Sequence, residues 1–163
     1  MENDVRLAVE GDLGRVWELE RGCETAPHWG LGEYQRILIG EGAAEGLVRR
    51  CLLVADGADG VIGFAVGKVA GELAELESVA VAEGARRRGV GAALCRAVMD
   101  WCRDEGAEEM ELEVRAESAG ARRLYAALGF AEIGMRAGYY ERPKEDAVLM
   151  RAGLTGNGRL SDV

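Results

Sequence analysis

The segment from residue 73 to residue 105 constrains this chain more than any other. "LAELESVAV" (73–81) reads as a strand, and shortly after it "ARRRGVGAAL" (85–94) runs three arginines into two glycines separated by one valine. The glycines open a long helical pattern, about 89–105. Its apolar stripe is Val90, Leu94, Ala97, Val98 and Trp101, with Arg96, Asp100 and Arg103 outside. A helix N-terminus offers free backbone N–H groups and the positive end of the helix dipole, which together hold an anion. Gly89 and Gly91 let that backbone approach a phosphate without Cβ atoms in the way. Arg86, Arg87 and Arg88 can add charge-assisted hydrogen bonds. The same residues are equally readable as a tight turn with solvated arginines. Two familiar phosphate loops are excluded: Leu94 stands where a dinucleotide fingerprint needs its third glycine, and no Lys-Ser/Thr follows the glycines.

The rest of the chain supplies the frame. "VRLAV" (5–9) reads as a strand, and "GDLGRVWELERGC" as a helix with Asp12 at its start. "APHWG" breaks the pattern through Pro27 and Gly30 before "LGEYQRILIG" resumes helically. "LVRRCLLVA" (47–55) and "VIGFAVGKVA" (61–70) flank the hairpin signal "DGADG". "EMELEVRA" (109–116) alternates, with Met110, Leu112 and Val114 on one face and Glu111, Glu113 and Arg115 on the other. "SAGARRLYAALGF" (118–130) is a helix with Ser118 placed to cap it and Gly129 at its C-terminal turn. Two strands, "FAEIGMRAGYY" and "EDAVLMRAGL", close the domain. The predicted order is β-α-α-β-β-β-α-β-α-β-β, one α/β domain with a mixed sheet over residues 1–153 and a polar, frayed tail at 154–163.

The 29 acidic and 20 basic residues leave a net charge of −9. That disfavours nucleic acid as a partner and favours cationic ones, such as basic peptides or amines. Cys23, Cys51, Cys95 and Cys102 lack metal-binding spacing, so no metal is expected, and Cys95 and Cys102 are read as helix packing residues. Reduced cysteines, an acidic start ("MENDVRLAVEGD") and no long apolar run lead to the expectation of a cytoplasmic protein away from membranes.

Arg86-x-x-Gly89-x-Gly91 after the strand "ESVAV" resembles the (Q/R)-x-x-G-x-(G/A) motif of the GNAT acetyltransferases, and the element order is similar to theirs over roughly residues 4–152. The resemblance implies a single-domain GNAT (acyl-CoA N-acyltransferase) fold, with a mixed, mostly antiparallel sheet flanked by helices and acetyl-CoA as co-substrate. "LEVRAES" (112–118), "ARRLYAALGF" (121–130) and "MRAGYYERPKEDAVLM" (135–150) resemble the RimI-type ribosomal-protein alanine N-acetyltransferase branch, the last most closely. That branch implies Glu113 as general base and Tyr125 as general acid. It also implies Val79, Ala80 and Val81 along the pantetheine arm and acetyl carbonyl, and Arg87, Arg88, Gly89, Val90, Gly91 and Ala92 around the pyrophosphate. Ser118 stands where the branch usually has Asn. Trp29, Tyr139 and Tyr140 are assigned to an acceptor groove, and a basic protein N-terminus, the N-terminal alanine of a small-subunit ribosomal protein, is the implied partner.

The chemistry is coherent with those residues. An α-amine of pKa about 7.7–8.0 is roughly one-tenth neutral at pH 7, so a modest base suffices; a lysine at about 10.4 is a harder task. Glu109, Glu111 and Glu117 are expected to raise the pKa of Glu113 if they lie close. Read on residues alone, Glu113 can be an ordinary solvated strand charge, and Tyr125, beside Ala121, Leu124 and Leu128, a core tyrosine with a directed hydroxyl. A phenol near pKa 10 would protonate a thiolate of pKa about 8.5 at small cost. His28 is read as shaping the groove. Three alternatives stay open: another amine acceptor (internal lysine, polyamine or antibiotic), a non-catalytic acetyl-CoA sensor, and a nucleic-acid binder, the last disfavoured by charge.

Overall fold

A computed structural model describes residues 4–23, 26–40, 48–141 and 144–154. The element order is the predicted one: β1 (Asp4–Leu7), α1 (Leu13–Gly22), α2 (Leu31–Ile39), β2 (Arg49–Gly57), β3 (Gly60–Ala70), β4 (Leu73–Val81), α3 (Val90–Asp104), β5 (Glu109–Arg115), α4 (Ala119–Ala127), β6 (Ala131–Glu141) and β7 (Lys144–Gly153). Of the tail expected to fray, residues 154–163, the first residue is instead anchored: Leu154 is buried, and its N–H donates to the Glu108 carbonyl at 2.8 Å; residues 155–163 lie outside the described residues.

All seven strands form one sheet in the order β1-β2-β3-β4-β5-β7-β6. Every neighbouring pair is antiparallel except β4 and β5, which run parallel with α3 as their crossover. Two apolar layers cover it. One face carries α3 and α4 over Ala65, Val69, Leu94, Val98, Met110, Leu112 and Met150. The other carries α1 and α2 over Val16, Tyr34, Leu52, Val54, Phe64 and Val66. Burying each large side chain contributes about 1.5–3 kcal/mol. Edge-on aromatic contacts at 5.6 Å (Tyr34–Phe64) and 6.0 Å (Tyr125–Phe130) fix both layers.

The buried stripe of α3 is Val90, Leu94, Cys95, Val98 and Cys102; it includes the two cysteines read as packing residues and is turned from the expected stripe so that Ala97 and Trp101 lie at the margin. The turn is possible because β3 presents Gly67 to the helix. A Cβ there would stand 2.5 Å from Val98 Cγ1 and 3.2 Å from the sulfurs of Cys102 and Cys51.

Gly67 also marks a register break. It pairs with Leu76, while its neighbour Val66 pairs with Ser78, so Glu77 is one residue too many in β4. Such a bulge bends and twists its strand and exchanges the faces of the residues beyond it. Ala74 and Leu76 accordingly belong to the α3 layer before the bulge, Val79 and Val81 pack on that layer after it, and Ala80 belongs to the other.

Candidate active site

The bulge opens a cleft. β4 and β5 pair only from Leu73–Glu75 to Glu109–Glu111 and then part. Beyond that point β4 keeps β3 on its outer edge and β5 keeps β7, so their inner edges face one another unpaired. The space between them, about 810 Å³, is lined by residues 75–79 and 112–115, by α4, by the 26–29 segment and by Tyr139 and Tyr140. Unpaired strand edges offer backbone N–H and C=O groups to an extended ligand as another strand would.

At the end of β4 the chain reaches the basic turn. Arg87 (φ 66°) and Gly89 (φ 80°) are both left-handed and fold the loop so that α3 begins at Val90. Among the described residues no side chain caps that helix, which leaves its first N–H groups available to an anion. Arg86 donates from Nε to the Val81 carbonyl (3.2 Å), and all three arginines are exposed. Gly91 faces Leu124 of α4, which brings the loop and α4 together.

Tyr125 and Glu113 reach the cleft from different elements. Tyr125 packs against the α3 layer through its ring. Burial, with Cys95 and Tyr140 nearby, pushes its phenol well above the usual value. The expected phenol near 10 is therefore corrected: at this partly buried position the donor stays firmly protonated, and a thiolate formed beside it is disfavoured by the same loss of solvation. Glu113, opposite Leu112 and Val114 in strand parity, points away from α3. Its Oε2 is buried, lies 3.7 Å from Arg136 Nε, and has no hydrogen-bond partner among the described residues.

The neighbours expected around Glu113 are placed otherwise. Glu111 is engaged by Arg151 (2.8 Å), and Glu117 is exposed beyond the strand end. The carboxylates that share its cleft are Glu75 and Glu77 from β4 and Glu141 at the end of β6. Glu77 is held by Arg50 Nε at 2.9 Å. Burial, then Glu77, with Glu113 and Glu111 beyond, pushes the Glu75 carboxyl above its ordinary value. A raised folded pKa favours the folded state while Glu75 is protonated and costs stability as pH rises from the ordinary value through the raised one. Glu75→Gln is therefore expected to raise Tm at pH 7, with the gain shrinking to nothing as pH falls below that window; thermal unfolding across pH 3.5–8 reads it.

The acceptor-side wall is built by long-range contacts. Glu20, 1% exposed, accepts the Gly30 N–H (3.2 Å), where α2 has no side-chain cap of its own. His28, left-handed at φ 57°, donates from Nε2 to the Cys23 carbonyl (2.9 Å), in keeping with a shaping role. Trp29 rests on Tyr34 at 5.8 Å under the Arg50 guanidinium at 5.3 Å. Facing it, β6 carries a wide bulge: Arg136 pairs with Ala147 and Tyr140 with Glu145, so three residues of β6 oppose one of β7. Asp146 holds the bulge by accepting the Gly138 N–H (2.8 Å), and Glu145 pairs with Arg115 at 3.3 Å. Tyr139 is extruded beside Glu113, and partial burial and that carboxylate push its hydroxyl up. Tyr140 packs under the Arg115 guanidinium at 4.2 Å.

Ser118 does occupy the α4 N-cap position, but its side chain makes no capping bond; it lines the cleft instead. Sequence reasoning missed Glu75, Glu77, Ser78, Arg50 and Arg136. The first three lie in "AELES", where alternation was visible but the parting of the strands was not.

A model of the acetyltransferase (GNAT) family matches residues 14–130. The chain belongs to that family. It is similar to the [ribosomal protein bS18]-alanine N-acetyltransferase of Salmonella typhimurium (strain LT2), with 31% identity over 150 residues covering 91% of this chain and 95% of that one. A Haemophilus ducreyi protein of the same name is 29% identical over 90% of this chain and 97% of its own. The crystal structure of the ribosomal-protein-S18-alanine N-acetyltransferase from Escherichia coli matches with a TM-score of 0.80 and 27% identity over 96% of this chain and 97% of that one. The fold extends to a GNAT phosphinothricin acetyltransferase from Sinorhizobium meliloti in complex with AcCoA, at a TM-score of 0.78 and 23% identity over 97% of this chain and 92% of that one.

The residues present fit such a coenzyme. The free β4 edge suits an arm with amide groups, and the uncapped α3 N-terminus with its arginines suits a pyrophosphate. Cys95 is on the buried face of α3 with its thiol pushed up to about 12 by burial, so it is no nucleophile for this GNAT enzyme.

Proposed function

We propose that this GNAT acetyltransferase acetylates the α-amine of a protein N-terminus, with the N-terminal alanine of a small-subunit ribosomal protein as acceptor. What carries the reading is that Glu113 and Tyr125 line the same cleft, where the inner edge of β4 is free and carboxylates face the acceptor side. The relatives named for bS18 alanine supply the acceptor class.

Bound acetyl-CoA supplies an acetyl thioester. The backbone of Val79, Ala80 and Val81 holds the pantetheine arm and polarises the acetyl carbonyl. Residues Arg86 to Ala92 hold the pyrophosphate through open N–H groups and guanidinium charge. Ser118, at the cleft wall, contributes a hydroxyl toward the same coenzyme. Trp29, Tyr139 and Tyr140 position the acceptor chain, and the acidic cleft draws its ammonium in. Glu113 takes the proton that the amine loses as its nitrogen bonds to the acetyl carbon. Tyr125 returns a proton to sulfur as the carbon–sulfur bond breaks. A cytoplasmic setting goes with a ribosomal acceptor.

Mass spectrometry after incubation with acetyl-CoA and two peptides tests the reading. One peptide has a free N-terminal Ala followed by basic residues; its twin is N-terminally blocked and keeps an internal lysine. Acetylation of the first alone is expected. Modification of the twin would assign an internal-lysine acceptor. Coenzyme binding without transfer to either peptide or to a panel of polyamines and aminoglycosides would point to a sensor.

A further inference from the structure

Ser78 combines two properties that do not belong together in a purely structural residue. It is 6% exposed, and its Oγ has no hydrogen-bond partner among the described residues. A buried hydroxyl left unpaired costs about 1–3 kcal/mol, and folded proteins rarely carry one without a reason. Ser78 also lines the cleft, as does Glu113, whose buried Oε2 lies 3.7 Å from Arg136 Nε but likewise has no hydrogen-bond partner among the described residues.

The two residues are brought together by topology. Glu77 is the extra residue of the β4 bulge, and it shifts Ser78 to the face of its partner Val66, which is the α1–α2 side. Glu113 faces that same side, because Leu112 and Val114 belong to the α3 layer. From the last paired residues, Glu75 and Glu111, Ser78 is three positions along one wall and Glu113 two along the other. They therefore stand at similar heights on opposite walls, with Ser78 immediately before the Val79–Val81 edge.

We propose that Ser78 is a further catalytic residue, whose Oγ accepts one N–H of the acceptor's primary amine while Glu113 accepts the other. A neutral primary amine has two N–H bonds and one lone pair. Fixing both N–H bonds leaves the lone pair aimed at the acetyl carbon held beside Val79–Val81, so Ser78 supplies orientation and exchanges no proton. The nitrogen–carbon bond forms, the carbon–sulfur bond breaks, the amine proton goes to Glu113 and sulfur takes the Tyr125 proton. This assignment rests on the α-amine reading above and adds to it a demand for a primary amine.

The test compares wild type with Ser78→Ala and with Ser78→Cys, which keeps the volume but offers only a weak acceptor. Steady-state kinetics are measured on the N-terminal Ala peptide and on its N-methylalanine twin, a secondary amine with one N–H when neutral. Both variants should lower kcat on the Ala peptide about tenfold and leave the acetyl-CoA KM within about twofold. Their Tm should match or exceed that of wild type, since an unpaired buried hydroxyl has been removed. The preference for Ala over N-methylalanine should shrink about tenfold in the variants, which a packing role would not produce. Unchanged kcat, or a kcat loss that tracks a lowered Tm with the preference intact, would overturn the assignment of Ser78 alone. A wild-type enzyme that acetylates lysine but no α-amine would overturn the acceptor reading and this assignment with it.

Discussion

Tyr125→Phe is expected to lower kcat about 10²–10⁴-fold, the range that a positioned general acid contributes. The substitution removes one hydroxyl and keeps the ring that packs on Phe130, so Tm and the acetyl-CoA KM should hold. The size of the loss follows from the burial of the phenol. Burial pushes the phenol up and holds it protonated across the working pH range, and the same burial makes an unprotonated thiolate a poor leaving group there. Glu113→Gln should behave differently. Its deficit should shrink as pH rises past about 8, where the α-amine is neutral without help. Measuring kcat against pH for both variants separates the roles: a Tyr125→Phe deficit that also vanished at high pH would speak against proton donation to sulfur. A Glu113→Gln deficit that stayed constant would replace the base role with an electrostatic one.

The second large effect is on the fold. Gly67→Ala is expected to cost about 1–3 kcal/mol, because the added methyl must enter space held by Val98 Cγ1 at 2.5 Å and by two sulfurs at 3.2 Å. Val98 is a short branched side chain on a packed helix and cannot swing aside, so α3 itself must lift from β3. For a chain of this size that lowers Tm by roughly 2–12 °C. Gly67 lies at the register break that forms the β4 bulge, so the coenzyme KM should also rise as the cleft walls shift. A Gly67→Ala protein with unaltered Tm would mean that the helix–sheet contact is looser than its geometry requires.

Much of this was legible in the order of residues, because periodicity and turn chemistry are local. The alternation Met110-Leu112-Val114 put Glu113 on the side away from α3, and the glycines after "RRR" marked where the helix starts. Cys95 and Cys102 pack inside as read, but the α3 stripe was drawn slightly out of phase: Ala97 and Trp101 lie at its margin, because Gly67 on a distant strand lets the cysteine side of the helix approach the sheet. The ending "MRAGYYERPKEDAVLM" was the most specific signal in the chain, and its acidic residues Glu145 and Asp146 act as supports: Asp146 pins the β6 bulge and Glu145 pins Arg115.

What the sequence alone determined is which segments become strands and helices, most of the residues they turn inward, and that glycines and arginines stand at the head of α3. Tertiary structure decided what those elements do to one another. The parting of β4 from β5, the exchange of faces at Glu77 and the arrival of Glu75, Ser78 and Tyr139 around Glu113 each depend on pairings between strands distant in the chain. A bulge is one residue counted against a partner strand, and nothing within the strand itself records that count.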